Sequence, residues 1–164
     1  MATGITPFLW FDGKAEEAAR FYASVFKHSK IGSIARYGDA GPAPKGSLMS
    51  VAFELAGQQF FVSNGGPHFI FSPAVSFFVS CETPEEVDEL WEKLSAGGQK
   101  RQCGGLQDKY GLSWQMIPCI LSAMAHDWDS GTSRVTKAMM QRTIDTKKLK
   151  EAVGADDGEA VDAR

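Results

Sequence analysis

Metal binding and nucleophilic attack both require histidine, cysteine or carboxylate side chains gathered close together. This 164-residue chain has three histidines, His28, His68 and His126, and three cysteines, Cys81, Cys103 and Cys119. No two cysteines form a Cys-x-x-Cys pair, and the histidines make no local ligand spacing. His28 reads as part of a surface turn. His126-Asp127-Trp128-Asp129 concentrates potential ligands, but capping and solvation ahead of a helix explain its acids better. No Gly-x-Ser-x-Gly elbow occurs, and Gly65-Gly66 does not open a helix, so the sequence encodes neither a hydrolase nucleophile nor a phosphate cradle locally. Any chemistry must come from side chains that the fold assembles.

Composition narrows the setting. Apolar residues make up 43% and charged residues 23%, as in globular domains. A chain of this length can bury about two thirds of its unfolded surface, so it needs no disulfide or metal merely to stay folded. The net charge of -3 gives no electrostatic reason to expect a nucleic acid or an anionic membrane as partner. No apolar run reaches the roughly 20 residues of a membrane span, and the first residues lack a signal segment. With an odd number of cysteines, the expected location is a reducing cytoplasm.

The elements come from periodicity. Ile5 to Phe11 is a short apolar run suited to a buried strand. From Lys14 to Phe26 the apolar residues Ala15, Ala18, Phe21, Tyr22, Val25 and Phe26 make a helical stripe, with Asp12 as its suggested N-cap. Strands are expected over 29–37, 47–55 and 58–63, the last two joined at Ala56-Gly57. The pattern then restarts with an apolar strand over 74–81. Thr83-Pro84-Glu85-Glu86 opens a helix carrying Val87, Leu90, Trp91 and Leu94. Strands near 99–103 and 112–118 flank a turn at Asp108-Lys109-Tyr110-Gly111.

A shift of 69 residues carries Glu16, Glu17, Phe21 and Tyr22 onto Glu85, Glu86, Leu90 and Trp91. The same shift places Phe8 and Leu9 on Phe77 and Phe78. Strand and helix recur together, which indicates an internal duplication. The expected fold class is α+β, with two tandem βαβββ units over 5–66 and 74–118 forming a curved mixed sheet. A helical extension is expected over 119–152, completing one domain of residues 1–152. The acidic stretch 153–164 is expected to be a disordered tail.

Several segments carry a family resemblance. They are Ile5-Thr6-Pro7-Phe8-Leu9-Trp10-Phe11-Asp12-Gly13, Arg20-Phe21-Tyr22, Val25-Phe26, Cys103-Gly104 and the run from Asp108 through Tyr110, Gly111 and Trp114 to Pro118. With the late stretch Arg134–Leu149, they cover about residues 5 to 152. The chain resembles the vicinal oxygen chelate (glyoxalase/bleomycin-resistance) superfamily, in its PhnB-like branch. That domain is often called 3-demethylubiquinone-9 3-methyltransferase. One departure is Gly105, where the branch usually has tryptophan; a cavity walled by that tryptophan would be wider or differently closed here.

The resemblance implies a cavity inside the curved sheets and a homodimer. Metal-dependent relatives place His and Glu at strand positions that match Thr6 or Pro7, Gln59 or Phe60, Val75 or Ser76, and Gln115. None of these is a strong transition-metal ligand, so no metal and no cofactor are expected. The expected pocket residues are Trp10, Gln59, Phe60, Ser76, Phe78, Cys103, Trp114 and Gln115, with His68 at the rim. A methyltransferase would need an S-adenosylmethionine site, usually a glycine-rich turn after the first strand of a doubly wound sheet, and no such motif is present. Three readings follow: a PhnB-like protein with a small-molecule pocket, a non-enzymatic drug- or metabolite-sequestering protein, and a metal-dependent glyoxalase- or dioxygenase-like enzyme.

Overall fold

The computed structural model describes residues 4–102 and 104–118. The expected helical extension, the tail and Cys103 lie outside the described residues. The chain divides into two compact units between Phe71 and Ser72.

In the first unit, β1 (Phe8–Phe11) leads through Gly13, at φ +72°, into α1 (Ala15–Val25). Asp12 does not cap this helix. Lys14 holds the N-cap position without a side-chain bond, and the Ala15 amide donates to Oδ1 of Asn64 at 2.9 Å. Asp12 stands two residues too early, so the cap comes from a residue 49 positions away. Asn64 ends β4 (Gln58–Asn64), so this bond ties the helix start to the sheet.

The remaining strands are β2 (Lys30–Arg36) and β3 (Leu48–Leu55). The sheet order is β1-β4-β3-β2, with β1 parallel to β4 and the other pairs antiparallel. Leu9, Phe11, Val51, Phe53, Phe60 and Val62 alternate onto the face beneath α1, where all are buried. Small Ala15, Ala18 and Ala19 let the helix approach closely, and Tyr22 stacks on Phe53 with centroids 6.4 Å apart.

Ala56 and Gly57 close the β3–β4 hairpin with φ of +46° and +87°. Positive φ at both positions is the type I′ geometry that suits Asn-Gly. Alanine is strained there. Ala56→Asn is therefore expected to stabilise the protein by about 0.5–1 kcal/mol, measured by urea denaturation.

The second unit repeats the plan. β5 (Phe77–Cys81) precedes α2 (Pro84–Ser95), followed by β6 (Gln99–Lys100), β7 (Gly105–Gln107) and β8 (Ser113–Pro118). The sheet order is β5-β8-β7-β6, with β5 parallel to β8. Here the expected cap is present: Thr83 Oγ1 accepts from the Glu86 amide at 3.2 Å, and Glu86 accepts from the Glu82 amide at 2.8 Å. Val87, Leu90 and Leu94 are buried, as are Cys81, Leu106, Trp114 and Met116 on the helix side of the sheet. The strand expected over 99–103 is only two residues long, and a separate strand follows at 105–107. A turn divides them, with the Gly105 amide bonded to the Gln102 carbonyl at 3.0 Å.

Each unit thus forms a four-stranded mixed sheet covered by one helix, in an α+β arrangement with the same strand order. The helices repeat at a shift of 69. The strand faces repeat at 70, because the β5–α2 connection is one residue shorter than β1–α1. Phe8 and Phe78 are consequently counterparts on the faces away from the helices, each 58% exposed. No helix among the described residues is long and apolar enough to cross a membrane.

Candidate functional site

Each sheet has one face covered by a helix, and the face away from it is here the open face. On it the first sheet exposes Phe8 and Phe61, whereas the second exposes Phe78 but buries Gly105, Ser113 and Ile117. Side chains able to meet a ligand must lie on the open faces.

In the first unit, the open face carries Phe8 and Trp10 from β1, paired with Phe61 and Ser63 of β4. Phe61 is 43% exposed. One step along the sheet, Gln59, Glu54 and Lys30 form a row across three strands. The Gln59 amide donates to Glu54 Oε2 at 2.6 Å, and Lys30 Nζ lies 3.3 Å from the same oxygen. An aromatic surface therefore borders a polar row. Phe60 points the other way and stacks on Phe53 at 5.3 Å beneath α1, since neighbouring strand residues face opposite sides.

Trp10 is fixed by the segment after β4. Its indole Nε1 donates to the Gly66 carbonyl at 3.0 Å, and Phe69 meets its ring edge-on at 5.5 Å. The indole lies so close to Gly65 that a Cβ there would stand 1.8 Å from the ring. His68 is exposed on the same segment. Phe71 grips Phe11 from the helix side, with ring centroids 5.1 Å apart.

In the second unit, Phe78, Gln115 and Gly105 form one row across β5, β8 and β7. Ser76, just before β5, is half-buried. Gln107 and Ser113 make the next row. Arg101 Cβ and Gln115 Oε1 each lie 3.4 Å from the point where a Cβ on Gly105 would stand. A side chain at 105 would also press on the Gln102 carbonyl at 2.9 Å. The Arg101 guanidinium donates to Gln107 Oε1 at 3.1 Å.

Trp114 is on the helix side and 2% exposed, with its ring 5.4 Å from Phe77. Its indole Nε1 donates to Asp108 Oδ2 at 2.8 Å. Asp108 Oδ1 accepts from the Tyr110 and Leu112 amides at 2.9 and 3.0 Å. The motif from Asp108 to Trp114 is thus a tied hairpin corner.

The structure therefore brings Trp10 and Gln59 onto one open face and Phe78 and Gln115 onto the other. Phe60 and Trp114 lie on helix faces, and Cys103 is outside the described residues. The reading of the sequence missed Phe61. Strand alternation could have found Phe61 once Phe60 was assigned inward.

The electrostatic cluster at Glu16 lies on α1. Hydrogen bonds from Arg20 at 2.8 Å and Arg36 at 2.7 Å hold its carboxyl below the usual glutamate range. Because the folded value is the lower one, the pair's stabilisation is complete above the unfolded glutamate value and lost as pH falls through the folded one. Glu16→Gln should therefore cost stability at neutral pH and little in strong acid. Added salt should shrink the difference, as thermal denaturation across pH will test.

Among the described residues, no three His, Cys, Asp or Glu side chains converge in a way that could hold a metal ion. The central open-face positions are Phe8, Phe61, Phe78 and Gln115, which do not fit a transition metal.

Residues 3–117 match the family described as 3-demethylubiquinone-9 3-methyltransferase. A Bacillus cereus structure, by name a PhnB protein and 3-demethylubiquinone-9 3-methyltransferase, is 41% identical with a TM-score of 0.66. That match covers 71% of this chain and 99% of the Bacillus chain. A Pseudomonas aeruginosa protein shares the fold at 20% identity and TM-score 0.61, covering 71% and 98% of the two chains. The fosfomycin resistance protein FosX of Listeria monocytogenes, solved with Mn(II) and sulfate, is similar at 16% identity and TM-score 0.50, covering 71% and 92%. No curated protein matches the chain. The chain belongs to the family described as 3-demethylubiquinone-9 3-methyltransferase and is PhnB-like.

Proposed function

We propose that this chain is a small-molecule-binding PhnB-like protein whose ligand lies against the open sheet faces. The observation that carries this is the cross-strand pair Phe8–Phe61, exposed beside the Lys30–Glu54–Gln59 row. Exposed apolar side chains with a few oriented polar groups beside them are the usual lining of a small-molecule site. A homodimer is the expected binding species, on the family resemblance alone.

The family's methyltransferase name implies S-adenosylmethionine. The first strand–helix connection here is Asp12-Gly13-Lys14, and the sheet is a four-stranded mixed one. These residues do not fit the glycine-rich turn of a doubly wound cofactor fold, so no step is derived through that cofactor. None is derived through a metal either, because the open-face residues do not supply its ligands.

The test is a thermal-shift screen of metabolites and planar drugs, followed by Phe61→Ala. The variant should keep its melting temperature and bind any hit at least about tenfold more weakly. Unchanged affinity in both Phe61→Ala and Phe78→Ala would remove the open faces as the site. Saturable binding without turnover would identify a sequestering protein.

A further inference from the structure

We propose that Asn64-Gly65 is a latent modification site, a deamidation point that the folded protein holds closed and the unfolded chain releases. The inference is independent of any ligand on the open faces.

The sequence supplies the chemistry. Asn64 is the chain's only asparagine, and the residue after it is glycine. Asparagine is thermally labile, because the backbone nitrogen that follows it can attack its side-chain carbonyl. Glycine has no Cβ to obstruct that approach. In the reaction the Gly65 nitrogen gives its proton to hydroxide and bonds to Asn64 Cγ. The Cγ–Nδ2 bond breaks, and Nδ2 takes a proton from water and leaves as ammonia. Water then opens the five-membered imide at either carbonyl. Attack at Cγ leaves aspartate. Attack at the backbone carbon leaves isoaspartate, with the main chain rerouted through the side chain.

The fold occupies both reacting groups. The Gly65 amide donates to the Phe11 carbonyl at 3.0 Å, and Asn64 Oδ1 accepts from the Ala15 amide at 2.9 Å. Asn64 also pairs with Phe11 in the parallel β1–β4 ladder, and the Trp10 indole lies against Gly65. Both hydrogen bonds must open before Cγ and the nitrogen can meet in attack geometry. The reaction rate of the folded protein is therefore set by how often the end of β4 leaves β1.

The two products differ in what they do to the fold. Aspartate at 64 keeps an oxygen for the Ala15 amide, and its charge suits the start of α1. Isoaspartate inserts an extra carbon into the backbone ahead of Gly65, so Phe11, Trp10 and Gly65 lose their register. A chain that reacts this way while unfolded is barred from returning.

The test incubates the full chain in warm, mildly alkaline solution, folded in buffer or unfolded in guanidinium chloride. Mass spectrometry follows the gain of about one dalton in the peptide containing Asn64, and chromatography separates the two products. The folded protein should react at least about tenfold more slowly than the unfolded chain. Chains carrying isoaspartate should stay unfolded after the denaturant is removed, whereas the Asn64→Asp variant, freshly unfolded and returned the same way, should refold. Folded and unfolded rates within about threefold of each other would overturn the closed site. Refolding of the isoaspartate chains, or failure of the Asn64→Asp variant to refold, would overturn the distinction between the products.

Discussion

Asp108→Ala is expected to destabilise the protein by about 3–5 kcal/mol, without any direct effect on an open face. One buried carboxylate accepts the Tyr110 and Leu112 amides and the Trp114 indole N–H. Leu112 and Trp114 are each 2% exposed, so their donors would be left without acceptor or ready access to water. Asp108→Asn should recover only part of this, because its Oδ1 can still accept the Tyr110 and Leu112 amides while its NH2 would face the Trp114 indole N–H. Trp114→Phe removes one of the donors, so the double variant should lose less than the sum of the singles. Urea denaturation of the four proteins measures this coupling. A loss below about 1 kcal/mol for Asp108→Ala would mean the corner is held by its backbone alone.

The second large effect separates two adjacent phenylalanines. Phe60→Ala should cost about 3–5 kcal/mol, since its buried ring stacks on Phe53 on the face beneath α1. Phe61→Ala, on the open face, should change stability by less than about 1 kcal/mol. The same pair in a binding assay should reverse in importance, with Phe61 mattering for ligand and Phe60 only for folding. Equal destabilisation by both would contradict the strand's assignment of faces.

These two residues also mark where the sequence stops being legible. Helix and strand positions follow from periodicity, and the shift of 69 residues makes the duplication visible in the sequence itself. Faces are harder. Phe60-Phe61-Val62 is apolar at three successive positions, so alternation cannot say which ring is inward. The ungapped shift then misleads, because it lays Phe77 on Phe8. The shorter β5–α2 connection moves the strand by one residue relative to its helix, which exchanges the faces. Trp114 reads as a pocket residue because aromatics suit both cores and clefts. Its bond to Asp108, fixed by the hairpin corner, decides for the core. The Asn64 cap of α1 is invisible for another reason: its partner is distant in sequence, and local rules favour Asp12. Arg101 stands in the sequence only as part of a basic pair, since its neutral partner Gln107 joins it through strand pairing.

The contact between Trp10 and Gly65 also constrains how this protein can change over time. Any side chain at 65 would collide with the indole, so no substitution there is tolerated while Trp10 stays in place. Replacing Trp10 first sacrifices its bond to Gly66 and its packing on Phe69, but it clears the space. The route between variants is therefore one-way in order: position 10 must move before position 65. In related chains, a residue other than glycine at the position matching 65 should occur only where the position matching 10 is no longer tryptophan.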